Sequence, residues 1–335
     1  RLFRSHETLR NFFKSFHRKL AGLYPNRIFP VTLSPVRLEF VVSAHGMDEV
    51  ITLLYRQYEE QFGKVRMHLP LSVGCIVFYH KFPLYIALEA ANRMRKHLRP
   101  QNRAFTIVQN KENICYSDLL LKLDWYGQSM MVNWTVPTCR SDGEKDSFYP
   151  YFNAGGNDML VQQIEPDAEL QAYEGGFDFL LLDSAVRRFA ITPQGLKHHI
   201  SGSRPAWPFS AWQNFHRLGL LLEKLEKSQI SHIENLLVEK QMQWGEAWQM
   251  SDDVIKQFCI SVVMSPNGFG KKKKDGRYLL LDDKSNGHDV PLDSDKTLLI
   301  NAAANGLLLE AIDFFLHLQG LKLQTTTKTA THEKL

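Results

Sequence analysis

Residues 28–44 read IFPVTLSPVRLEFVVSA. Two β-type runs, Ile28 to Leu33 and Leu38 to Ser43, flank Ser34-Pro35-Val36-Arg37. Proline cannot donate to a strand ladder and favours a turn, so the stretch predicts a β-hairpin closed over Pro35. Upstream, Leu9, Phe12, Phe13, Phe16 and Leu20 recur at helical spacing and place five large apolar groups on one face. Downstream, Val50, Leu53, Leu54, Tyr58 and Phe62 line a second helix. A strand over Leu69 to Tyr79 follows, then a third helix opening at Pro83, a residue suited to the first helical turn, and running to about Leu98.

The resulting order is helix, strand, strand, helix, strand, helix. It is the split β-α-β-β-α-β pattern of ferredoxin-like domains with its opening strand absent, and that strand is expected before Arg1. The chain opens at Arg1 with neither an initiator Met nor a charged-then-apolar leader, which suggests a longer parent chain.

With 335 residues, 44% hydrophobic and 11% aromatic, the chain can bury more than one core, which excludes collagen-like and low-complexity classes. Forty Lys and Arg against 36 Asp and Glu leave a formal charge of +4, which permits contact with nucleic acid without requiring it. Cys75, Cys115, Cys139 and Cys259 match neither a zinc spacing nor a disulfide framework, so a reducing cytosol is the expected home. The apolar stretch Leu298 to Leu318 is interrupted by Asn301, Asn305, Glu310, Asp313 and His317, so it reads as a buried helix and no membrane is expected as a partner.

Short β-like runs at Phe105 to Val108, Met130 to Val136 and Phe177 to Ile191 mark residues 101–204 as a mixed α/β extension. From Pro205 the pattern turns helical, with capping boxes read at Ser210-x-x-Gln213 and Ser231-x-x-Glu234 and a third start at Ser251. Phe269 to Leu292 reads as a long loop around a short strand at Tyr278 to Leu281. The tail, residues 322–335, has too few apolar groups to fold by itself. The expected layout is residues 1–100, 101–204, 205–321 and the disordered tail.

Nucleotidyl transfer on a palm of this topology needs carboxylates at the end of the first strand and at the hairpin turn, so that two cations can clamp the attacking and leaving oxygens. Ser34, Pro35, Val36 and Arg37 supply none, and Arg37 repels a cation. The hairpin is therefore read as kept for packing. Gly155-Gly156-Asn157-Asp158 imitates a metal turn but lacks palm-like surroundings, and reads as a surface turn. Glu174-Gly175-Gly176 reads as the start of a strand. His198-His199 has no partner at ligand spacing. No Walker loop, G-x-S-x-G elbow or H-E-x-x-H helix occurs, and no metal or cofactor is expected.

Lys271, Lys272, Lys273 and Lys274, with Arg277 close behind, form a run that can neutralise phosphates without reading sequence; Phe269 could stack on a base beside it. A solvated loop is the plain alternative. Arg93, Arg95, Lys96 and Arg99 gather at one helix end, where the helix dipole accounts for part of the clustering. His80-Lys81, at a strand-to-helix turn, offers Lys81 as a second phosphate contact.

On these residues, Ile28 to Arg95 resembles the polymerase-palm-like domain of the large subunit of type III CRISPR effector complexes, the Csm/Cmr class. The hairpin PVTLSPVRLEFVVSA resembles the family's strand-turn-strand, with Ser34 to Arg37 standing where active members carry Gly-Gly-Asp-Asp. LPLSVGCIVFYHKFPLYIALEAANRM resembles its final strand and helix, and Leu9 to Leu20 the helix before. FDFLLLDSAVRRFAI, RPAWPFSAWQNFHRLGLLLEKLEKSQISHIENLLVEKQMQW and LLLEAIDFF are similar to the diverged Csx branch, including its C-terminal helical domain. The motifs are moderately specific one by one, and their order covers most of residues 5–318.

The resemblance implies an α+β protein: a degenerate ferredoxin-like palm, a mixed connector and a C-terminal helical domain. It implies an RNA-guided antiviral complex in the cytoplasm. The partners it implies are the CRISPR guide RNA and target RNA, a small helical subunit and backbone-forming subunits. Active relatives make cyclic oligoadenylates from ATP; the departure at Ser34 to Arg37 makes this chain a non-enzymatic assembly and RNA-contacting module. The rival expectation is a nucleotidyl cyclase whose metal ligands come from a segment outside the chain.

Overall fold

The computed structural model describes residues 2–25, 28–125, 128–140, 143–146, 152–182, 206–245, 248, 252–270, 292–316 and 318. Two antiparallel sheets, a mixed three-stranded sheet and eight helices among those residues make an α+β protein whose helices gather toward the C-terminal part. The chain divides into two compact bodies, the first holding the elements up to Gln61 and the second Phe62–Phe315.

In the first body, α1 (Leu2–Leu23) buries Phe12, Phe13, Phe16 and Leu20, as the sequence spacing predicts, and Leu9 is half-buried. Strands β1 (Ile28–Ser34) and β2 (Arg37–Val42) pair antiparallel from Ile28↔Val42 to Ser34↔Arg37, with Pro35 and Val36 in the turn. The register slips between Pro30 and Thr32, where Pro30 has no N–H to give the ladder. Phe16 meets Phe40 of β2 at 6.1 Å between ring centres. Phe29, Val31, Leu33 and Val36 stay exposed. Helix α2 (Met47–Phe62) opens with Asp48 and Glu49, anions suited to a helix N-terminus. Glu49 accepts the Tyr24 hydroxyl.

In the second body, β3 (Val73–Phe78) leads into α3 (Leu84–His97), for which Pro83 is the N-cap in extended conformation. Strand β3 pairs in parallel with β10 (Gly176–Leu182), from Val73↔Phe177 to Phe78↔Leu182. The two-residue β11 (Trp207–Pro208) completes a three-stranded sheet. Sheets covered on both faces take apolar groups at almost every position, which explains the FDFLLL run, interrupted only by the buried Asp178. Ile86, Ala87 and Ala90 of α3 pack with Leu182, against Ile76, Phe78 and Leu180.

Between α3 and β10 the chain builds a six-stranded antiparallel sheet in the order β6-β5-β4-β9-β7-β8. Its strands are β4 (Gln101–Glu112), β5 (Tyr116–Trp125), β6 (Gln128–Pro137), β7 (Phe152–Ala154), β8 (Asn157–Met159) and β9 (Glu169–Glu174). Inward residues alternate strictly: Leu119, Leu121, Leu123 and Trp125 on β5; Met130, Val132, Trp134 and Val136 on β6. This sheet is more regular than the short runs expected for residues 101–204. Gly155 and Gly156, at φ 58° and 85°, form the two-residue turn between β7 and β8, a conformation that favours glycine.

The helical part comprises α4 (Trp212–Leu222), α5 (Lys227–Trp244), α6 (Asp252–Val263), α7 (Leu292–Asn305) and α8 (Leu307–Leu316). Aromatic rings join α4 and α8 to β10: Phe177 meets Trp212 at 5.0 Å, Phe179 meets Phe314 at 4.9 Å and Phe215 meets Phe314 at 5.4 Å. Such pairs add about 1 kcal/mol each beyond their buried area.

Three sequence expectations are corrected. Ser210 caps no helix: it lies in the 3-10 turn Phe209–Ala211, buried, with its N–H donated to Glu174. Ser231 falls inside α5, whose true start has the Glu226 N–H bonded to the Gln229 side chain. The single helix expected over Leu298 to Leu318 is two helices bent by 96°, because Gly306 takes φ 89° and Asn305 accepts the N–H of Leu307. The start at Ser251, the loop strand at Tyr278 to Leu281 and the tail lie outside the described residues. No single described helix is long and apolar enough to cross a membrane.

Candidate functional site

The hairpin turn places Ser34 opposite Arg37 as the last pair of the ladder, and the Ser34 hydroxyl donates to the Arg37 carbonyl at 3.1 Å. Pro35 and Val36 fill the turn, the latter 77% exposed. The Arg37 guanidinium binds the carboxylate of Glu39, which also accepts the Thr32 hydroxyl at 2.9 Å. Two catalytic cations need a cluster of carboxylate oxygens. Here the turn presents a hydroxyl and a guanidinium, and Glu39 is already engaged by Arg37 and Thr32, so the residues present do not fit a Mg²⁺ pair.

In the second body, His80 and Lys81 are exposed in the turn between β3 and α3. The Phe82 N–H donates to the Tyr79 carbonyl at 2.7 Å, and the Tyr79 and His80 rings lie 4.2 Å apart. Lys81 is thus held on a tight turn next to the start of a 14-residue helix, where a cation can add to the partial positive charge of the backbone N–H groups. The far end of α3 carries Arg95, Lys96 and His97 in its last turn. Lys271, Lys272, Lys273, Lys274 and Arg277, together with His198-His199, lie outside the described residues.

Buried charge beside the β9–β10 junction escaped the sequence reading. Glu174, read as an ordinary strand start, is buried at the end of β9. One of its oxygens accepts the Ser210 N–H at 2.9 Å and lies 4.0 Å from the Arg66 guanidinium. Arg66 is itself buried, lying 4.2 Å from the centre of the Trp134 ring. In the next strand, Asp178 is fully buried in β10, its Oδ1 accepting the Phe179 N–H at 2.7 Å and its Oδ2 lying 3.5 Å from His97 Nε2. These interactions fasten sheet, helix and strand to one another. Their signal in the sequence was an acidic residue inside a strand pattern, Glu174 in ELQAYE and Asp178 in FDFLLL.

Asp158, the carboxylate of the Gly-Gly-Asn-Asp turn, accepts the Asn153 side chain at 2.9 Å, as a surface hairpin requires. Among the described residues no three His, Cys, Asp or Glu side chains come together as a metal site. Cys75 and Cys259 are buried, and burial pushes both thiols up from 9.0 to about 12. Cys115 and Cys139, 24 positions apart, are brought together because they bracket the β5–β6 hairpin. Comparison with known proteins finds no matching family model, no matching curated protein and no matching solved structure.

Proposed function

We propose that the chain is the C-terminal portion of the large subunit of a type III CRISPR effector complex, an assembly and RNA-contacting module with a degenerate ferredoxin-like palm. The order of elements along the chain supports the reading: a helix, a β-hairpin, a helix, a strand and a helix follow in the sequence order of a palm, although β1–β2 and β3 belong to separate sheets, and by the resemblance Ser34 and Arg37 stand where active members carry carboxylates. In this reading the helices after Pro205 dock the small helical subunit, while the backbone-forming subunits and the guide and target RNA meet the rest. Lys81, the Lys271–Lys274 run and Arg277 supply phosphate contacts, consistent with a chain of small net positive charge.

The test is the nucleic acid that travels with the protein. Full-length protein purified from cells carrying its CRISPR locus should bring guide-length RNAs sharing one repeat-derived 5′ tag, and the small subunit with them. A preparation holding only random cellular RNA, or none, rejects the assignment. Cyclic oligoadenylates formed from ATP by the purified complex and abolished by substitutions in this chain would favour the rival, a nucleotidyl cyclase.

A further inference from the structure

Outside the sites above, the open end of the β5–β6 hairpin gathers two thiols and two ammonium groups. The ladder runs to Tyr116↔Pro137 and continues past its formal end, the Thr138 N–H donating to the Cys115 carbonyl at 2.8 Å. Cys139 lies one residue further, its Sγ 3.4 Å from the Ile114 carbonyl, which belongs to the peptide bond leading into Cys115. Cys115 is exposed and Cys139 half-buried. Cys139 pairs across a single β-bridge with Lys145, whose ammonium is 2.6 Å from Glu112. The Lys64 ammonium reaches the Cys139 carbonyl at 3.3 Å and Asp146 at 2.5 Å. Ile114, 88% exposed, leaves the approach to Cys115 open.

We propose that Cys115 and Cys139 form a reversible dithiol–disulfide couple that closes the open end of the β5–β6 hairpin, with a low-molecular-weight disulfide such as oxidised glutathione as the oxidant. The Cys115 thiolate attacks one sulfur of the glutathione disulfide, and the first glutathione leaves as a thiolate. Cys139 then loses its proton and attacks the Cys115 sulfur of the mixed disulfide, forming the Cys115–Cys139 bond and expelling the second glutathione. Two protein thiols are oxidised, one small disulfide is reduced, and the two protons end on the two glutathiones.

The surroundings suit each part. Thiolate character and access govern thiol exchange; the neighbouring Cys115 thiol and then desolvation hold the Cys139 thiol above its ordinary pKa, with Lys145 and Lys64 pulling the other way, so the exposed Cys115 is the attacking thiol and Cys139 the resolving one. Cys139, one residue beyond the Thr138–Cys115 backbone bond and with its Sγ at the Ile114 carbonyl, is placed next to a disulfide formed on Cys115 and so can resolve it. Cys75 and Cys259 are buried and serve as internal controls.

Full-length protein is equilibrated without oxygen in glutathione buffers of graded oxidised-to-reduced ratio, quenched in acid, unfolded and alkylated. The expected result is a fall from four alkylated thiols to two, a Cys115–Cys139 linked peptide after digestion, and recovery of all four thiols with dithiothreitol. Cys139→Ser should instead accumulate a glutathione adduct on Cys115, because nothing resolves it. Retention of four free thiols at every ratio, an adduct of equal yield in wild type and Cys139→Ser, or a disulfide between two chains would each overturn the proposal. Both positions reach solvent, so circular dichroism of the Ser variants should match wild type.

Discussion

Arg66 lies over the Trp134 ring, its guanidinium carbon 4.2 Å from the ring centre, with a guanidinium nitrogen 4.0 Å from the Glu174 carboxylate. A buried guanidinium is tolerable only when its charge is answered, and here a ring quadrupole and a carboxylate both do so. The same carboxylate oxygen takes the Ser210 N–H, so one side chain of β9 joins the segment after α2 to the turn before α4.

Glu174→Gln should therefore destabilise the protein by about 3 kcal/mol, since it removes the negative charge that answers the buried Arg66 guanidinium. Arg66→Met in the same background should recover part of that loss. Urea denaturation of the two single variants and the double variant measures both effects; equal stability of wild type and Glu174→Gln would show that the pair contributes nothing.

Two glycines should separate close approach from backbone conformation. A Cβ on Gly175 would sit 1.9 Å from the Leu71 carbonyl oxygen, a backbone atom that cannot move aside. Gly175→Ala should cost about 3 kcal/mol. Gly155 faces open space but takes φ 58°, so Gly155→Ala should cost only about 1 kcal/mol. Denaturation midpoints of the two variants give the order, and a larger loss at Gly155 would contradict the packing at Leu71.

The buried thiols predict a loss of stability in alkali. Cys75 and Cys259 have folded pKa values of about 12 against an ordinary 9.0. Below pH 9 both are thiols in either state and stability is unaffected. Between about 9 and 12 the unfolded chain releases protons that the folded one keeps, so stability falls by about 1.4 kcal/mol per pH unit for each thiol. Cys75→Ala and Cys259→Ala should each flatten the slope of unfolding free energy against pH in that window, whatever they do to stability at pH 7.

At the hairpin turn, Arg37→Ala removes a positive charge and releases Glu39 without creating a metal cluster. Incubated with ATP, Mg²⁺ and target RNA, wild type and variant should both give oligoadenylates at background. Product formed by wild type and abolished by this substitution would sink the idea of a silent palm.

Replacing Lys271 to Lys274 by Ala should lower the salt dependence of RNA binding, by about 0.7 in the slope of log affinity against log salt for each phosphate that is no longer neutralised. Affinities measured at several salt concentrations report it, and an unchanged slope would remove the run from the RNA-binding surface.

Much of the fold could be read where a period was clean. Phe12, Phe13, Phe16 and Leu20 announced α1, and Pro35 announced the hairpin. Strand β5 was obscured because Leu119, Leu120 and Leu121 run together and blur an alternation that only Lys122 and Asp124 make visible. Strand β9 hid because its inward positions are Leu170, Ala172 and Glu174, a pattern whose last member reads as solvent-facing. The Ser210 and Ser231 boxes misled because a capping pattern states a preference, while the Ser210 amide was already claimed by a carboxylate 36 residues away. The bend at Gly306 was written in Asn305-Gly306 and overlooked beneath an apolar run. Of the site residues, the hairpin turn was visible directly; the Arg66–Glu174 and Cys115–Cys139 pairs were not, because each depends on strand register rather than on local spacing.

The parallel pairing of β3 with β10 has a consequence for how the chain is made. Val73 waits for Phe177, roughly a hundred residues later, so at ordinary synthesis rates of about 5–20 residues per second the growing chain exposes the β3 edge for several seconds. Meanwhile the hairpins of β4, β5 and β6 can close locally, and Gln101 and Glu174 end as partners on adjacent strands. The six-stranded sheet is thus an insertion whose two ends meet and whose hairpins can close before β10 emerges, while the turn before α4 and helix α7, which pack against β6, are still to be made. The interval before β10 emerges is when β3 is most open to pairing with a foreign strand, and when a chaperone has most to protect.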